Sequence, residues 1–484
     1  MHRGLMGAAD HDHGARGHVN GHVIRGVGGG DAARAEDAAL RGRFSPVAAL
    51  THRNFLLFWC GQLISLIGTW MQSVSQGYLV YDLTHSSYML GVVTTLGTLP
   101  VLLFTLFGGV LADRMPKRRV LVGTQTAAAA LALILGLLVV SGHVQVWEVM
   151  ALATGLGVVN AIDVPTRQSF VVELVGKRDL LNAIALNSSV FNGARIVGPA
   201  VAGLLILRFG IGVPFLLNAA SYLAVIAGLL AMRLPPFAAE EHPEPALRRL
   251  ADGLRYIRDD LPVRTVLTVL GLASLLAFNY PALMPAFARE DLHQGAAGYS
   301  LLYSALGFGA LTGGLILASF GQRLPRAKLF WAGAFLFPLV EILFALSRSL
   351  PVAAATLVVM GFCMILFLTN ANTLVQTLTP DGLRGRVMGV YSLVFLGSTP
   401  FGSFLAGIVA GRSRSVPAAL IGGSVLALVA VAAVWLRYPR ARALQPQRSK
   451  AIDADVRVVA AGDAARTAGQ GRARPEGGGV VAAR

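Results

Sequence analysis

The sequence predicts an all-α integral membrane protein: twelve transmembrane helices in two pseudo-symmetric halves of six. Three observations lead there. The 484 residues are 55% hydrophobic and 14% charged, whereas a soluble chain carries about 25% charge. The apolar residues gather into twelve blocks near the roughly 20 residues that cross a hydrocarbon core. Features of the first six blocks also recur in the second six at a nearly constant spacing.

In order, the segments are expected at 55–81, 88–112, 119–141, 147–163, 185–207, 212–232, 265–287, 298–320, 329–347, 352–375, 387–411 and 416–436. Several contain Gly, Pro or polar residues, which helices inside a bundle tolerate. Segment one opens the first bundle (51–233). Segment two stops on GGVLADRMPKRRV, 108–120, which puts one acid and four bases between two apolar runs. Segments three to six complete the bundle. A linker follows at 234–263, and within it Leu247, Leu250, Leu254, Ile257 and Leu261 recur at steps of three and four. That spacing gives an amphipathic helix at the membrane interface, read as a tether between the halves. Segments seven to twelve form the second bundle (264–437). Residues 1–50 and 438–484 lack apolar blocks and are rich in Ala, Arg and Gly, so both are expected to be disordered tails. Five of the ten histidines sit in the first tail, where a solvated tail is the expectation and no metal site is assigned. Cys60 and Cys363 each fall inside a segment, which leaves no disulfide framework and no metal-knuckle spacing.

The formal charge of +16 would suggest nucleic acid in a soluble protein, but no nucleic-acid motif accompanies it. The cations instead cluster in alternate loops: Arg114, Lys117, Arg118 and Arg119; Arg167, Lys177 and Arg178; the linker; Arg323, Arg326 and Lys328; Arg384 and Arg386. By the positive-inside rule these loops and both tails lie in the cytoplasm.

The repeat is clearest between SSVFNGARIVGPAVAG (188–203) and SLVFLGSTPFGSFLAG (392–407), which share Ser, Phe and three Gly in register. Gly108-Gly109 likewise recurs as Gly313-Gly314. Six-plus-six symmetry is the pattern of secondary transporters, with the substrate site between the repeats. Gly198, Pro199, Gly203, Gly402 and Gly407 are the small or stiff residues expected to let helices pack closely.

Such a carrier needs a polar path. Gln62, Ser65, Thr69, Gln72 and Gln76 share one face of segment one. Amides are costly in lipid, so this stripe either lines a cavity or bonds a neighbouring helix. Ser188, Asn192 and Arg195 form a second short stripe on segment five. A cation in mid-membrane costs about 2.5–3.5 kcal/mol on insertion scales, so Arg195 needs a partner or water. Both a substrate or coupling role and a structural ion pair stand open. Asn370, Asn372 and Gln376 are weaker candidates, nearer a membrane face. Glu341, Asp82 and Glu148 are the embedded or edge carboxylates, and nothing in the sequence chooses a proton carrier among them. No phosphate-binding glycine loop or dinucleotide fingerprint occurs, and His85, His143 and His293 are scattered, so neither a cofactor nor catalytic residues are assigned.

GGVLADRMPKRR resembles the loop between helices two and three of the major facilitator superfamily, G-x-L-A-D-R-x-G-R-[RK], matching at Gly109, Leu111, Ala112, Asp113, Arg114, Lys117 and Arg118. Pro116 replaces the family's Gly, and the second-half copy GGLILASFGQRLPRAK lacks the acid. RNFLLFWCGQLISLIGTWMQSVSQGYLVYDLTHSS (53–87), NAIDVPTRQSFVVELV (160–175) and RGRVMGVYS (384–392) resemble the enterobactin-exporter-like branch, so that the likeness spans about 50–437. The resemblance implies the major facilitator fold and a monomeric, proton-coupled exporter of siderophores or drug-like molecules in a bacterial inner membrane. Metabolite import is the alternative within the fold. A fainter likeness to the antiporter motif of helix five covers Ala185, Ala194, Gly198, Pro199, Ala202 and Gly203, with Ala three times for Gly. The family pattern further implies a gate. Asp113 would face the start of segment eleven near Arg386, Lys117 or Arg118 would pair with Asp163, and Arg114 would help anchor the loop.

Overall fold

A computed structural model describes residues 48–234, 246–321, 324–439 and 442–444, and the elements below belong to the unit Ala49–Arg484. The tail expectations fall almost wholly outside the described residues. Among the described residues, twelve helices are long and apolar enough to cross a membrane. The first six are α1 (Arg53–Thr84), α2 (Ser87–Arg114), α3 (Lys117–Val140), α4 (Val146–Gly176), α5 (Asn182–Phe209) and α6 (Val213–Ala231). Helix α7 (Ala246–Asp259) lies in the linker and does not span. The second six are α8 (Leu261–Glu290), α9 (Ala296–Phe320), α10 (Arg326–Ala345), α11 (Leu350–Leu378), α12 (Asp381–Ser413) and α13 (Val416–Arg437).

Local chemistry sets the boundaries. The Ser86, Asp260 and Ser415 side chains accept from the backbone N–H three residues on, capping α2, α8 and α13. Glu148 and Gln145 form a reciprocal capping box at the start of α4, so this candidate carboxylate serves the helix end. Gly176, at φ 66°, separates α4 from α5, a backbone shape that glycine adopts without steric cost. Helix α8 breaks at 277–279 before Pro281, which has no N–H to continue the ladder and disfavours helical backbone before it.

Within each half the spans pack closely, α1 on α5 and α6, α2 on α4, and correspondingly α9 and α10 on α11. Two seams join the halves, α2 on α12 and α5 on α9. The repeated glycines occupy equivalent contacts. A Cβ at Gly198 would stand 2.8 Å from the Ile67 carbonyl of α1, and one at Gly402 would stand 2.5 Å from the Leu275 carbonyl of α8. Gly203 presses on Ser300 across the α5–α9 seam; Gly407 presses on Gly91 across the α2–α12 seam. Pro199 is buried beside the first of these contacts.

Gly108-Gly109 and Gly313-Gly314 show the same division of labour. The first glycine of each pair faces the neighbouring helix, and the second has open space. A Cβ at Gly108 would stand 2.2 Å from the Ala161 carbonyl oxygen, while one at Gly109 would meet nothing within 4 Å. Gly108→Ala should therefore destabilise the first half by about 1–3 kcal/mol through overpacking, and Gly109→Ala should melt with the parent. Thermal melts of the two purified variants check this contrast.

An even number of crossings returns the chain to its starting face. We call that side, with α7 and the α2–α3 turn, the terminal face, and the opposite side the far face.

Candidate functional site

The polar stripe of α1 runs beside three adjoining cavities. The first, about 560 Å³, opens among Phe58, Gln62, Arg167, Ile184, Ser188 and Phe191 near the terminal face. A small one of about 60 Å³ holds Gln62, Ser65, Thr69, Asp163, Arg167 and Tyr222. The third, about 300 Å³, is lined by Thr69, Gln72, Gln76, Asn160, Asn218 and Tyr222 and ends against Tyr299 and Tyr303 of the other half. Shared lining residues make these a string along α1. Gln62, Ser65 and Gln72 are buried, whereas Thr69 is exposed. Gln72 Oε1 accepts from Asn218 Nδ2 at 2.6 Å, and Gln62 Oε1 accepts from Arg167 Nη1 at 3.0 Å. The stripe thus bonds neighbouring helices and lines space at once.

Asp163 is almost wholly buried, at 1% exposure. Its Oδ1 accepts from Thr124 Oγ1 and Gln125 Nε2, each at 2.8 Å, while Oδ2 pairs with the Arg167 guanidinium, with Nε at 3.0 Å. The expected pairing with Lys117 or Arg118 does not form. Asp163 lies level with Thr124 on α3, about 10 Å deeper than Lys117 at 1.5 Å per residue. Arg167, one turn along the same helix, reaches it without crossing between helices. Lys117 pairs with Glu173, and Arg118 donates to the Leu230 and Met232 carbonyls at the end of α6 at 2.8 and 3.3 Å, where a cation complements the helix dipole. Arg167, expected in a loop, is therefore an internal residue of α4.

At the terminal end of the α2–α12 seam a cleft of about 410 Å³ is lined by Thr105, Gly109, Ala112, Leu250, Arg386 and Gly389. The end of α2 and the first turns of α12 flank it. The side chain of Asp113 lies outside the described residues; Arg114 beside it is exposed. Arg386 Nη1 donates to Asp252 of α7 at 2.9 Å, and a Cβ at Gly253 would stand 2.8 Å from the Arg386 carbonyl. Helix α7 is thereby docked on α12. Tyr256 fixes its other end by donating to the Leu378 carbonyl at 3.3 Å. Burial, then the Asp260 carboxylate, push the Tyr256 hydroxyl up to about 12, so it remains a neutral donor.

Farther along this seam the halves touch. Thr95 Oγ1 donates to the Pro400 carbonyl at 2.9 Å, and Gly91 meets Gly407. On the α5–α9 seam Ser304 donates to the Ile196 carbonyl at 3.0 Å. Toward the terminal face Gly193 has open space and Phe191 is 47% exposed. At the far face Tyr81 donates to Glu290 Oε1 at 2.6 Å and Arg289 donates to Tyr78 Oη at 3.2 Å, both across the halves. Sequence reasoning missed this lock, although Tyr78-x-x-Tyr81 and Arg289-Glu290 end the first span of each half and so offered a signal.

Arg195 sits where four helices meet. Its guanidinium lies 5.5 Å over the Trp70 ring of α1, and its Nη2 is 3.3 Å from Tyr280 Oη of α8 and 3.7 Å from Met364 Sδ of α11. The α8 break starts a new helix at Tyr280, which brings that hydroxyl to Arg195. Ser188 is exposed, and Asn192 Nδ2 donates back to the Ser188 carbonyl at 2.8 Å. Asn370 is buried, and Asn372 accepts from Gln376 at 2.5 Å. Glu341 accepts from Ser424 Oγ at 2.7 Å and joins α10 to α13; Asp82 is exposed. Among the described residues no three His, Cys, Asp or Glu side chains gather to hold a metal.

The chain matches the model of a family described as transmembrane secretion effector over residues 44–460. It is 27% identical to the multidrug efflux pump Tap of Mycolicibacterium fortuitum over 403 residues, covering 80% of this chain and 96% of that one. To the enterobactin exporter EntS of Citrobacter koseri it is 24% identical over 398 residues, covering 82% and 94%. Among solved structures it superposes on an inward-facing bacterial homolog of the human lysosomal transporter Spinster with TM-score 0.65 at 14% identity, over 82% of this chain and 99% of that one.

Proposed function

This chain belongs to the transmembrane secretion effector family of the major facilitator superfamily, and from that premise we propose that it exports a small organic molecule by alternating access, driven by protons. The observation that carries this reading is the asymmetry of the two faces. Cross-half bonds from Tyr78 and Tyr81 close the far face, while the α2–α12 seam opens into a cleft at the terminal face. Between them a string of polar cavities follows α1. Rocking of the halves about Thr95–Pro400 and Ile196–Ser304 would exchange which end is open.

The clustered cations support a cytoplasmic terminal face, with both ends of the chain on the cytoplasmic side of a bacterial inner membrane and the monomer as working unit. In this orientation the open end faces the cytoplasm and loads substrate for export. The siderophore and multidrug exporters among the relatives support that direction and a siderophore or drug-like cargo. Asp113, at the end of α2 beside the terminal cleft, latches this face when it closes.

Transport into inverted vesicles tests the proposal. A proton gradient should drive accumulation, an uncoupler should collapse it, and ATP should add nothing; ATP-dependent uptake would refute it. Asp113→Asn should reach the membrane at parental levels and lose most of the gradient-driven uptake. Undiminished uptake by that variant would remove the latch.

A further inference from the structure

We infer that Arg195 is the charge-recognition point of the transport path, and that the compounds bound there are organic anions with an apolar body. This deepens the transport reading above and rests on it.

Asp163 has Arg167 and Glu341 has Ser424, but Arg195, about midway along α5, has no carboxylate among the described residues. Its neighbours are a ring, a phenol and a thioether, all neutral. Its Nε is buried and makes no hydrogen bond. Arg195 therefore offers a guanidinium with a donor to spare. Its planar fork suits a carboxylate or a similar bidentate oxyanion.

Position gives that charge a use. Trp70 belongs to the first half, Tyr280 and Met364 to the second, so a ligand at Arg195 touches both halves and changes surroundings when they rock. The Arg195 carbonyl itself presses on Gly307, where a Cβ would stand 2.9 Å away. One turn toward the terminal face Phe191 is exposed and packs edge-on to Trp70 at 5.6 Å. Charge and aromatic wall together select an anion that carries a ring or other apolar body.

The test uses the full chain in nanodiscs and a panel of aromatic carboxylates led by 2-naphthoate, each paired with its methyl ester. The parent should bind the acid at least tenfold more tightly than the ester. Arg195→Gln should abolish that preference and Arg195→Lys should keep part of it. Because no carboxylate loses a partner, Arg195→Gln should melt no lower than the parent without ligand. Absence of acid preference in the parent, its survival in Arg195→Gln, or a large fall in melting temperature would each overturn the inference. Vesicle uptake separates this from the reading beneath it. Gradient-driven uptake of a cationic dye without acid preference leaves export standing and removes anion recognition; acid preference without gradient-driven uptake of any compound does the reverse.

Discussion

Asp163→Ala is expected to destabilise the protein by about 2–3 kcal/mol and to abolish transport. Removing one partner of a buried pair costs about 3–5 kcal/mol, because a charge stays behind without compensation. The figure is discounted here since the Arg167 side chain is 26% exposed and water can reach it. Thr124 and Gln125 would also lose their acceptor. Removing both charges avoids the stranded cation, so Asp163→Ala/Arg167→Ala should recover much of the lost stability. Thermal melts of the two variants and the parent in nanodiscs decide the matter. A single variant that melts with the parent, or a double variant that melts below the single one, would show that the pair does not hold α3, α4 and α1 together. Transport should fail in both, because the network stands between the first and third cavities.

The contrast between what was legible in the sequence and what was not has physical causes. Lipid forces every span to be a long apolar helix, so twelve blocks of hydropathy become twelve helices. The glycine repeat was legible for a related reason, since a backbone contact admits no side chain and leaves a Gly in each half. The end of α4 was not legible. Pro165, Arg167 and Gln168, just past Asp163, read as a loop, because hydropathy counts charges singly and cannot see that Asp163 and Arg167 neutralise each other one turn apart. The partner of Asp163 was misread through depth: residue order along α3 does not reveal that Thr124, and not Lys117, shares its level. The segment 265–287 was read as continuous, and nothing local showed that α8 would break before Pro281 and aim Tyr280 at Arg195. The far-face lock depends on how two separate bundles tilt, and no segment encodes that alone.

Gly91→Leu is expected to block transport by holding the far face open, without unfolding the protein. A Cβ at Gly91 would stand 2.7 Å from the Ser403 carbonyl oxygen and 3.0 Å from Gly407 Cα. Overpacking of this kind costs about 1–3 kcal/mol, which corresponds to a shift of roughly 5- to 150-fold between two states. The strain can be relieved because α2 and α12 belong to different halves, and parting them at the far face is the motion that transport requires. Gly309 supplies the counter-example. A Cβ there would stand 1.9 Å from the Val358 carbonyl oxygen, but α9 and α11 lie within one half and cannot part, so Gly309→Leu should fail to fold. A reporter cysteine at Gln76, in a chain with Cys60 and Cys363 replaced, reads the difference from the far face with an impermeant maleimide. Labelling should be slow in the parent and at least fivefold faster in Gly91→Leu at an unchanged melting temperature. If Gly91→Leu instead lost its fold as Gly309→Leu does, the α2–α12 seam would be a fixed core rather than a moving one, and alternation between the faces would need another hinge.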